Sequence, residues 1–581
     1  MITAGTPRII DPKLLTAATK GPVDAVVFYK APENDVTRQA ASKFSAIEAM
    51  PLGTERKTAA YEALHTLGTQ TLAAHHDDLQ ALVAAGKATA VDELWSLGAV
   101  RVRGANLDTI KSLVGPGVQA IMQDTIVAAP AVPAATEAAV EGAVLTPLPA
   151  NFDRETGAAE ARATDEDPNA VWMDWGVKRM HAPDAWKQGI TGAGVVIGSL
   201  DTGVYVDHPN LTRNYRGHKA DGTVDNDYNW KDMVKELPED GVLPDGTKFD
   251  DKDKAPNGTS LRPIDLNGHG THTSGSALGW SPQHITGVAP DAKLIVSRGL
   301  GEKGGSMFDL VAAMEWFMAP TKVDGTAPRP DLAPDIVTNS WGGAPMGNPF
   351  LWMALRNWRR AGIIPVFAAG NNREAKPGEV AVPGMYPETI TVGASDLDDA
   401  RAWFSMYGPS DYANGHKPEV MAPGHWTYSS LPDGTTRDTF PVKMPDGSTR
   451  LAPASGTSMA TPHVAGAMAL YIQAHPNATF DDVLNALKGS GNLADKPNEE
   501  QGWGIVQVDK LIAPGTIAKD AVLTDKARVE ELEAQVAKSK VFNEGVRKPG
   551  IPHVDDDSSS KSDSAPAKGG DNGDQGDVVA A

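Results

Sequence analysis

The stretch GVVIGSLDTG (194–203) runs through apolar and small residues into Asp201 and then reaches a glycine. Four later runs have the same β-prone character: AKLIVSRGL (292–300), DIVTNS (335–340), GIIPVFAAGN (362–371) and TITVGAS (389–395). Amphipathic stretches separate them, such as SMFDLVAAMEWFMA (306–319) and PFLWMALRNWRRAG (349–362). Such alternation is typical of a parallel sheet covered by helices. Residues 171–514 are therefore predicted to form an α/β domain around a central, mostly parallel sheet.

The rest of the 581 residues divides by composition into further segments. Residues 23–127 place short β-prone runs around one long helical pattern (54–87) and one short pattern (107–113), which predicts a small α+β domain. Residues 128–170 are rich in Ala, Pro, Glu and Thr and are predicted to be a flexible linker that proteases reach. The remaining segments are an N-terminal extension (1–22), a C-terminal extension with one short charged helix (515–545) and a disordered acidic tail (546–581).

Charge and composition exclude several classes of function. The chain has 53 basic and 74 acidic residues, a net charge of −21 with His neutral. This excess repels phosphate backbones, so no nucleic-acid partner is expected. The absence of Cys excludes disulfides, thiolate metal sites and Cys nucleophiles. No apolar run approaches the length of about 18 residues that a membrane span needs, so no integral membrane contact is expected.

Three Gly-rich segments each surround one reactive side chain: SLDTGVYVDHPNL around Asp201, NGHGTHTSG around His269 and ASGTSMATPHVAG around Ser458. A Ser hydroxyl is a weak nucleophile, so it needs a His to take its proton and an acid to orient that His. Asp201 follows a predicted buried strand, and His269 and Ser458 each open a helical stretch. These residues are therefore predicted to meet at the carboxyl edge of the sheet as a catalytic triad.

Two other strand ends fit the same chemistry. Asn371 ends the run GIIPVFAAGN, and its amide N–H is a candidate oxyanion donor beside the Ser458 N–H at a helix start. After the strand DIVTNS, the backbone of Ser340, Trp341 and Gly342 is predicted to bind an extended peptide. The candidate wall of the primary specificity pocket consists of Ala368, Ala369 and Gly370.

Other interpretations of these motifs have less support. A single Asp-Thr-Gly lacks the second carboxylate that an aspartic protease needs. The motif around Ser458 approaches the nucleophile elbow of α/β-hydrolases, but in that fold the His follows the Ser in the chain, whereas His269 precedes Ser458. His269 and His272 have no third ligand for a metal, so His272 is predicted to be a packing residue. The sequence from Asp225 to Glu236 resembles a calcium loop, except that Trp230 stands where Gly is needed. The ring of Trp341 either shapes a subsite or covers the sheet edge.

The motifs DTG, HGTHTSG, SWG, AAGN and GTSMATPHVAG, in this order, resemble those of the subtilisin-like serine proteases over residues 172–491. The segments YRG (215–217), NWKDMV (229–234) and EWFMAP (315–320) are similar to the bacillopeptidase F branch of that family. The resemblance implies a three-layer subtilisin-like domain and a serine endopeptidase that acts on proteins or peptides. It also implies Asp201 as orienting acid, His269 as general base, Ser458 as nucleophile and Asn371 as oxyanion donor.

Residues 24–124 resemble the inhibitory propeptide of this family, a ferredoxin-like module. This resemblance implies a zymogen inhibited by its own propeptide in cis and activated by a cut in the linker. No cofactor is required for the chemistry. The presence of a structural calcium ion stays open. Asn210 stands where many members have an Asp ligand, and GWSPQHITG (279–287) lacks their Asn-rich loop.

Two alternatives remain on the sequence alone. The first concerns location: the resemblance implies secretion, but the start MITAGTPRIIDPKLL (1–15) lacks the pattern of a secretory signal, so a cytoplasmic location or non-classical export stays open. The second concerns activity, because a catalytically silent, protease-like binding protein would keep the same fold.

Overall fold

The computed structural model describes residues 10–128, 152–153, 158–159, 171–343, 350–410, 416–432 and 451–541. Most of the predicted linker and the whole predicted acidic tail lie outside these ranges. Within the linker, the structure describes Ala128 and an antiparallel pair of short strands, Phe152–Asp153 and Ala158–Ala159. No helix in the described ranges is long and apolar enough to cross a membrane.

The N-terminal part folds into a four-stranded antiparallel sheet with helices on one side. From edge to edge its strands are Ala90–Leu94, Ala99–Ala105, Val23–Tyr29 and Val118–Gln123. The helices are Pro12–Ala18, Asp35–Ser42, Phe44–Glu48, Thr54–Ala73, His76–Ala84 and Leu107–Ser112, with a 3₁₀ turn at Trp95–Leu97. With helices after the first and third strands, this order is the βαββαβ connection of ferredoxin-like modules. The α+β prediction for this region is confirmed.

Two local predictions for the small domain need correction. The long helical pattern at 54–87 forms two helices that are separated by a turn at Ala74 and His75. The His75 ring stacks on Tyr29 of an inner strand with centroids 3.9 Å apart. The helix Pro12–Ala18 falls in the predicted extension 1–22, yet Leu14 is fully buried in the core of this domain. The small domain therefore begins before residue 23.

The C-terminal part is built on a seven-stranded sheet in which all six neighbouring pairs are parallel. From edge to edge the strands are Trp230–Asp232, Lys293–Arg298, Val196–Asp201, Ile336–Asn339, Ile364–Ala368, Ile390–Ser395 and Val420–Pro423. Successive strand residues face opposite sides, since Leu294 and Val296 join one hydrophobic cluster and Ile295 joins another. Both faces are thus covered, which confirms the three-layer α/β prediction.

The covering helices are His269–Leu278 and Thr457–Ala474 on one face and Met307–Met318 and Phe350–Ala361 on the other. Further helices are Trp175–Arg179, Ala182–Trp186, Phe480–Ser490, Val508–Leu511 and Lys526–Lys538, with 3₁₀ turns at Asp251–Asp253 and Pro330–Leu332. The short strands Ile126–Val127 and Gly305–Ser306 pair with each other, as do Gly408–Pro409 with His416–Lys417 and Thr427–Ser430 with Leu451–Ala454. A three-stranded sheet joins Val171–Met173, His284–Ile285 and Ser539–Val541.

The small domain docks through its sheet and its helix Thr54–Ala73 onto two helices of the large domain. Val26 and Phe28 share a hydrophobic cluster with Phe308 and Phe350, and the rings of Phe28 and Phe350 meet edge to face at 5.0 Å. The alternate residues of the same strand, including Val27, face the small domain's own core. The two faces of this sheet therefore divide between folding the small domain and attaching it.

Candidate active site

Asp201 and His269 form a buried pair at the carboxyl edge of the large sheet. Asp201 ends its strand, and its Oδ1 lies 2.7 Å from Nδ1 of His269 and accepts the Thr202 N–H at 2.7 Å. Both residues are almost inaccessible, at 1% and 0% exposure. A carboxylate at Nδ1 favours the tautomer with its proton there. The Nε2 of His269 makes no hydrogen bond to any described residue, so it is available to accept a proton.

A second carboxylate, which the sequence analysis did not identify, supports this pair. Asp265 accepts hydrogen bonds from the hydroxyl of Thr202 at 3.0 Å and from the hydroxyl and N–H of Thr271 at 2.6 and 3.0 Å. Its carboxylate thus joins the turn after Asp201 to the first turn of the His269 helix. Burial raises the pKa of Asp265. The only local signal is its place just before NGHG, which does not indicate its partners.

Ser458 lies in the first turn of the helix Thr457–Ala474 and is 3% exposed. Its hydroxyl donates to the carbonyl of Ser340 at 3.1 Å, and the Ser340 hydroxyl donates back to the carbonyl of Ser458 at 2.8 Å. The helices that carry His269 and Ser458 pack against each other. The hydrogen bonds of the described residues include none between these two side chains, so the serine hydroxyl is held by the neighbouring strand end.

Asn371 is fixed beside the start of the same helix. Its Oδ1 accepts the N–H of Thr457 at 2.9 Å and the Thr457 hydroxyl at 3.1 Å. Because the amide oxygen is used in this way, Nδ2 remains as the donor end of the side chain. The structure thus brings Asn371 next to the residue that precedes Ser458.

The predicted peptide-binding residues lie along two strand ends near Ser458. Gly343 and Val382 exchange backbone hydrogen bonds at 2.9 and 3.0 Å, which fixes the chain just after Gly342. The ring of Trp341 is 1% exposed and packs edge to face against Phe367 at 5.3 Å. Its ring therefore belongs to the core, and its backbone is the part left at the sheet edge.

The residues Ala368, Ala369 and Gly370 form a tightly packed segment. Both alanines are fully buried, and Gly370 has φ +100° with an ideal Cβ only 2.8 Å from Cβ of Ala381. A side chain at position 370 would therefore collide. The N–H of Gly370 donates to the Thr457 hydroxyl at 3.2 Å, so this segment also joins the start of the Ser458 helix.

The other candidate ligands do not converge on a metal. His272 is 1% exposed, its Nε2 lies 3.0 Å from the carbonyl oxygen of Ala452, and burial lowers its pKa to about 3. The amide of Asn210 donates to the Thr286 hydroxyl at 3.3 Å, and its backbone carbonyl accepts the Trp280 N–H at 2.8 Å. Over the described ranges, no group of three or more His, Asp or Glu side chains is placed to hold a metal ion.

The end of the small domain runs along the same edge of the large sheet. Its strand Ile126–Val127 pairs antiparallel with Gly305–Ser306, and the N–H of Met307 donates to the carbonyl of Thr125 at 2.8 Å. Gly304, at φ +88°, allows this approach, because a Cβ there would collide with the carbonyl of Val127. An extended peptide thus already lies on a strand edge of the large domain.

Comparison with known proteins supports the resemblance noted from the motifs. Residues 192–504 match the Subtilase family. Bacillopeptidase F of Bacillus subtilis (strain 168) is 35% identical over 63% of this chain and 23% of its own length. Serine protease AprX of the same strain is 31% identical over 59% of this chain and 72% of its own length. Subtilisin Savinase of Lederbergia lenta is 31% identical over 58% of this chain and 97% of its own length. The match therefore spans nearly all of one relative and less than a quarter of another.

Proposed function

The chain belongs to the subtilase family of serine-type endopeptidases, and on this premise we propose that it hydrolyses peptide bonds of proteins through an acyl-enzyme at Ser458. The observation that carries this proposal is the 2.7 Å contact between Asp201 and His269, with Nε2 of His269 left available. The match to bacillopeptidase F and to subtilisins supports the same chemistry. No cofactor is needed for it.

The proposed reaction uses the three side chains in sequence. The Ser458 hydroxyl turns from Ser340 to Nε2 of His269, gives up its proton there, and its oxygen attacks the substrate carbonyl carbon. Asp201 holds the imidazole through Nδ1 and stabilises its cation. His269 then returns the proton to the leaving amine as the C–N bond breaks, which leaves an ester on Ser458. Water, deprotonated by His269, attacks this ester, and His269 passes that proton to the Ser458 oxygen as the ester bond breaks and the acid product leaves.

The negative charge on the substrate oxygen needs donors in this scheme. The N–H of Ser458 lies in the first turn of a helix, where backbone N–H groups lack partners within the helix, and Nδ2 of Asn371 is held nearby by the contacts of its Oδ1. We assign these two groups to the oxyanion. Replacing Asn371 by Leu is expected to lower kcat about 100- to 1,000-fold with little change in KM.

We further propose that the small domain is an inhibitory propeptide. Its ferredoxin-like connection, its docking on two helices of the large domain and the strand Ile126–Val127 on Gly305–Ser306 support this assignment. A cut after Val127 and before Val171, within or next to the predicted linker, would separate the two domains while leaving each one whole. We assign the released enzyme to the outside of the cell, as the family resemblance implies.

Serine-directed labelling tests the chemistry. A fluorescent phosphonate should label the wild-type chain after linker cleavage and should not label Ser458→Ala. Ser274→Ala is the matched control, because its buried hydroxyl also lies on a helix of the site but makes no hydrogen bond in the structure. Labelling of the control without labelling of Ser458→Ala supports the proposal. Absence of labelling in all three chains would favour the catalytically silent alternative.

Intact mass against time tests the zymogen assignment. Wild-type protein should lose an N-terminal piece that ends within 128–170, whereas Ser458→Ala should stay whole. If both chains stay whole while the wild type still reacts with the phosphonate, the enzyme is active without removal of the small domain, and the propeptide assignment is wrong.

A further inference from the structure

Glu236, the last position of the run that resembles a calcium loop, uses its side chain to hold a turn. Its Oε2 accepts the N–H of Glu302 at 2.7 Å, and its Oε1 accepts the N–H of Lys303 at 3.4 Å. Gly301 also lies against the carboxylate, because an ideal Cβ at this position would be only 2.3 Å from Oε2. The carboxylate of Glu236 therefore binds two backbone donors at the tip of the turn 301–304.

This turn leads directly into the strand edge that the small domain occupies. Gly301 and Gly304 exchange backbone hydrogen bonds at 3.0 and 3.1 Å, which close the turn. The next two residues, Gly305–Ser306, pair antiparallel with Ile126–Val127. Ordering a mobile turn costs conformational entropy, and a turn that is already ordered avoids this cost when a peptide binds. The order of the turn thus affects how tightly the edge binds an extended peptide.

The segment that carries Glu236 is itself anchored to the large sheet. Arg298 is buried at the end of its strand, and its guanidinium donates to the carbonyl of Glu236 at 2.7 Å. The same guanidinium donates to the carboxylate of Asp232 at 3.3 Å. Asp232 ends the neighbouring strand and accepts the N–H of Val234 at 2.9 Å. In the register of the sheet, Arg298 pairs with Asp201 on its other side. Glu236 thus has a fixed position relative to the proposed site.

From these contacts we infer that Glu236 is a positioning residue for peptide binding, because its carboxylate holds the turn 301–304 and so keeps Gly305–Ser306 ready to pair with an extended chain. The inference rests on the proposed function and adds that a protein substrate uses the strand edge that Ile126–Val127 occupies in the structure. It assigns Glu236 a role in binding and none in breaking the bond, since the reacting side chains lie on other elements.

Substrates of two lengths separate binding at this edge from the reaction at Ser458. The strands that lead to Gly305 and to Ser340, which contacts Ser458, are two positions apart in the sheet, or about 10 Å. A quenched fluorescent peptide with about six residues on each side of the cleaved bond spans this distance at about 3.3 Å per residue. The ester of a single acetylated amino acid does not.

The first measurement compares kcat and KM of the cleaved catalytic domain for these two substrates. Glu236→Ala should raise KM for the long peptide about 10-fold and leave its kcat within about twofold, because it removes binding that substrate and transition state share. A tenfold change is near the lower end of what the loss of a hydrogen bond to a charged group costs. The ester should keep its kcat/KM within about twofold. An unchanged KM for the peptide, or an equal loss for peptide and ester, overturns the inference.

Two further variants show whether the hydrogen bonds or the charge of Glu236 is responsible. Glu236→Gln keeps an oxygen for the N–H of Glu302 and should keep KM for the long peptide within about threefold of wild type. Glu239→Ala is the matched control, because Glu239 is exposed in the same segment and its loss changes the net charge equally. It should leave both substrates unchanged. An increase in KM as large as that of Glu236→Ala would show a long-range effect of charge and overturns the inference.

The affinity of the small domain tests the inference without catalysis. In the Ser458→Ala background after linker cleavage, Glu236→Ala should raise the dissociation constant of the two pieces about 10-fold, because Ile126–Val127 uses the same strand edge. Glu239→Ala should not change it. An unchanged constant in Glu236→Ala overturns the inference.

The two kinds of failure are distinguishable. When the proposed function fails, wild type hydrolyses neither the peptide nor the ester, and the dissociation constant still decides whether Glu236 positions the strand edge. When only the inference fails, wild type hydrolyses both substrates and Glu236→Ala has the KM of wild type.

Discussion

The two segments that flank the catalytic domain are attached to it in different ways. The small N-terminal domain has its own core, in which Leu14, Val27 and Ile121 are fully buried away from the catalytic domain. The C-terminal helix Lys526–Lys538 has no such core. Its Leu532 is fully buried within the main cluster of the catalytic domain. The first segment is therefore a folded unit that docks, whereas the second has a fold only while it is docked.

The contacts of the C-terminal segment show which parts of the catalytic domain it stabilises. Arg528 lies 3.9 Å above the ring of Trp280, and Gln535 donates to the carbonyl of Ser281 at 2.5 Å. The strand Ser539–Val541 then pairs in parallel with Val171–Met173. Since Val171–Met173 directly follows the predicted linker, the C-terminal segment secures the residues that a cut in the linker would leave near a new N-terminus.

Both segments use buried charge: Arg528 of the C-terminal helix pairs with Asp291 at 3.0 Å, whereas the small domain has several charged contacts across its interface. Lys57 reaches across the interface to Asp335 at 2.5 Å and to the carbonyl of Ala333 at 3.0 Å. Arg101 contacts Asp309 at 2.8 Å, and Asp124 accepts the N–H of Phe308 at 3.1 Å. Charged contacts respond to pH and to loss of one partner, so this interface is suited to being released.

The largest effect is expected at the small domain from Lys57→Met. The side chains of Lys57 and Asp335 are 6% and 18% exposed, and removing one partner of a buried ion pair costs about 3–5 kcal/mol. The measurement is the dissociation constant of the two pieces after linker cleavage in the Ser458→Ala background. Lys30→Met is the control, because the Lys30–Glu33 pair is 60% and 75% exposed. Equal effects of both variants would contradict the role of the buried pair.

The second prediction concerns the C-terminal segment. Leu532→Ala should destabilise the cleaved catalytic domain by about 3 kcal/mol, as expected for a buried Leu→Ala change, without altering the affinity for the small domain. Thermal unfolding measures the first quantity. Val522→Ala is the control, since Val522 is 77% exposed. If Leu532→Ala left the melting temperature unchanged, the segment would not be part of the folded enzyme.

The third prediction is a dependence of docking on pH. Glu315 accepts the N–H of Ser96 across the interface at 2.7 Å, and burial raises its pKa from 4.5 to about 8. Release of the small domain uncovers part of Glu315, which lowers the pKa of its carboxyl group. Docking therefore favours the protonated form of Glu315. Docking should therefore weaken by at most about tenfold per pH unit as the pH rises towards 8.

The control for this dependence is Glu315→Gln, which keeps an oxygen for Ser96 but does not ionise in this range. Its affinity for the small domain should vary less with pH than that of the parent chain and should exceed the parent affinity at pH 8. Two profiles with the same slope between pH 5 and 8 would contradict the assignment to Glu315.

The smallest effect on docking is expected from Asp124→Asn, because the ion pair of Asp124 with Arg101, at 3.0 Å, lies within the small domain and Arg101 keeps Asp92 and Asp309 as partners. The Asp124 carboxylate accepts from Phe308 and Ser306 at the start of the helix Met307–Met318. Asn retains one oxygen for these donors but loses the charge that favours a helix N-terminus, a loss of about 1 kcal/mol. The dissociation constant of the two pieces after linker cleavage measures this loss. A loss as large as that of Lys57→Met would show that docking depends on the contact between Asp124 and Arg101 rather than on the helix end.

The parts of this protein that follow from local pattern could be predicted. The runs 194–200 and 292–300 are apolar on both faces, so they predict buried parallel strands, and the strands lie there. The residues Asp201, His269, Asn371 and Ser458 stand in compact Gly-rich motifs, and the structure brings Asp201 to His269 and Asn371 to the start of the Ser458 helix. In each case the signal lies within a few neighbouring residues.

Other features depend on residues far apart in the chain, and only the tertiary structure decided them. Asp265 gains its role from Thr202, Glu315 from Ser96 and Leu532 from a core built by residues before 515. The ring of His75, at the break of the predicted long helix, stacks on Tyr29, which lies in a strand 46 residues earlier in the chain. Periodicity and turn chemistry report the preferences of adjacent residues, whereas burial and hydrogen bonding across the fold depend on which surfaces the completed chain brings together.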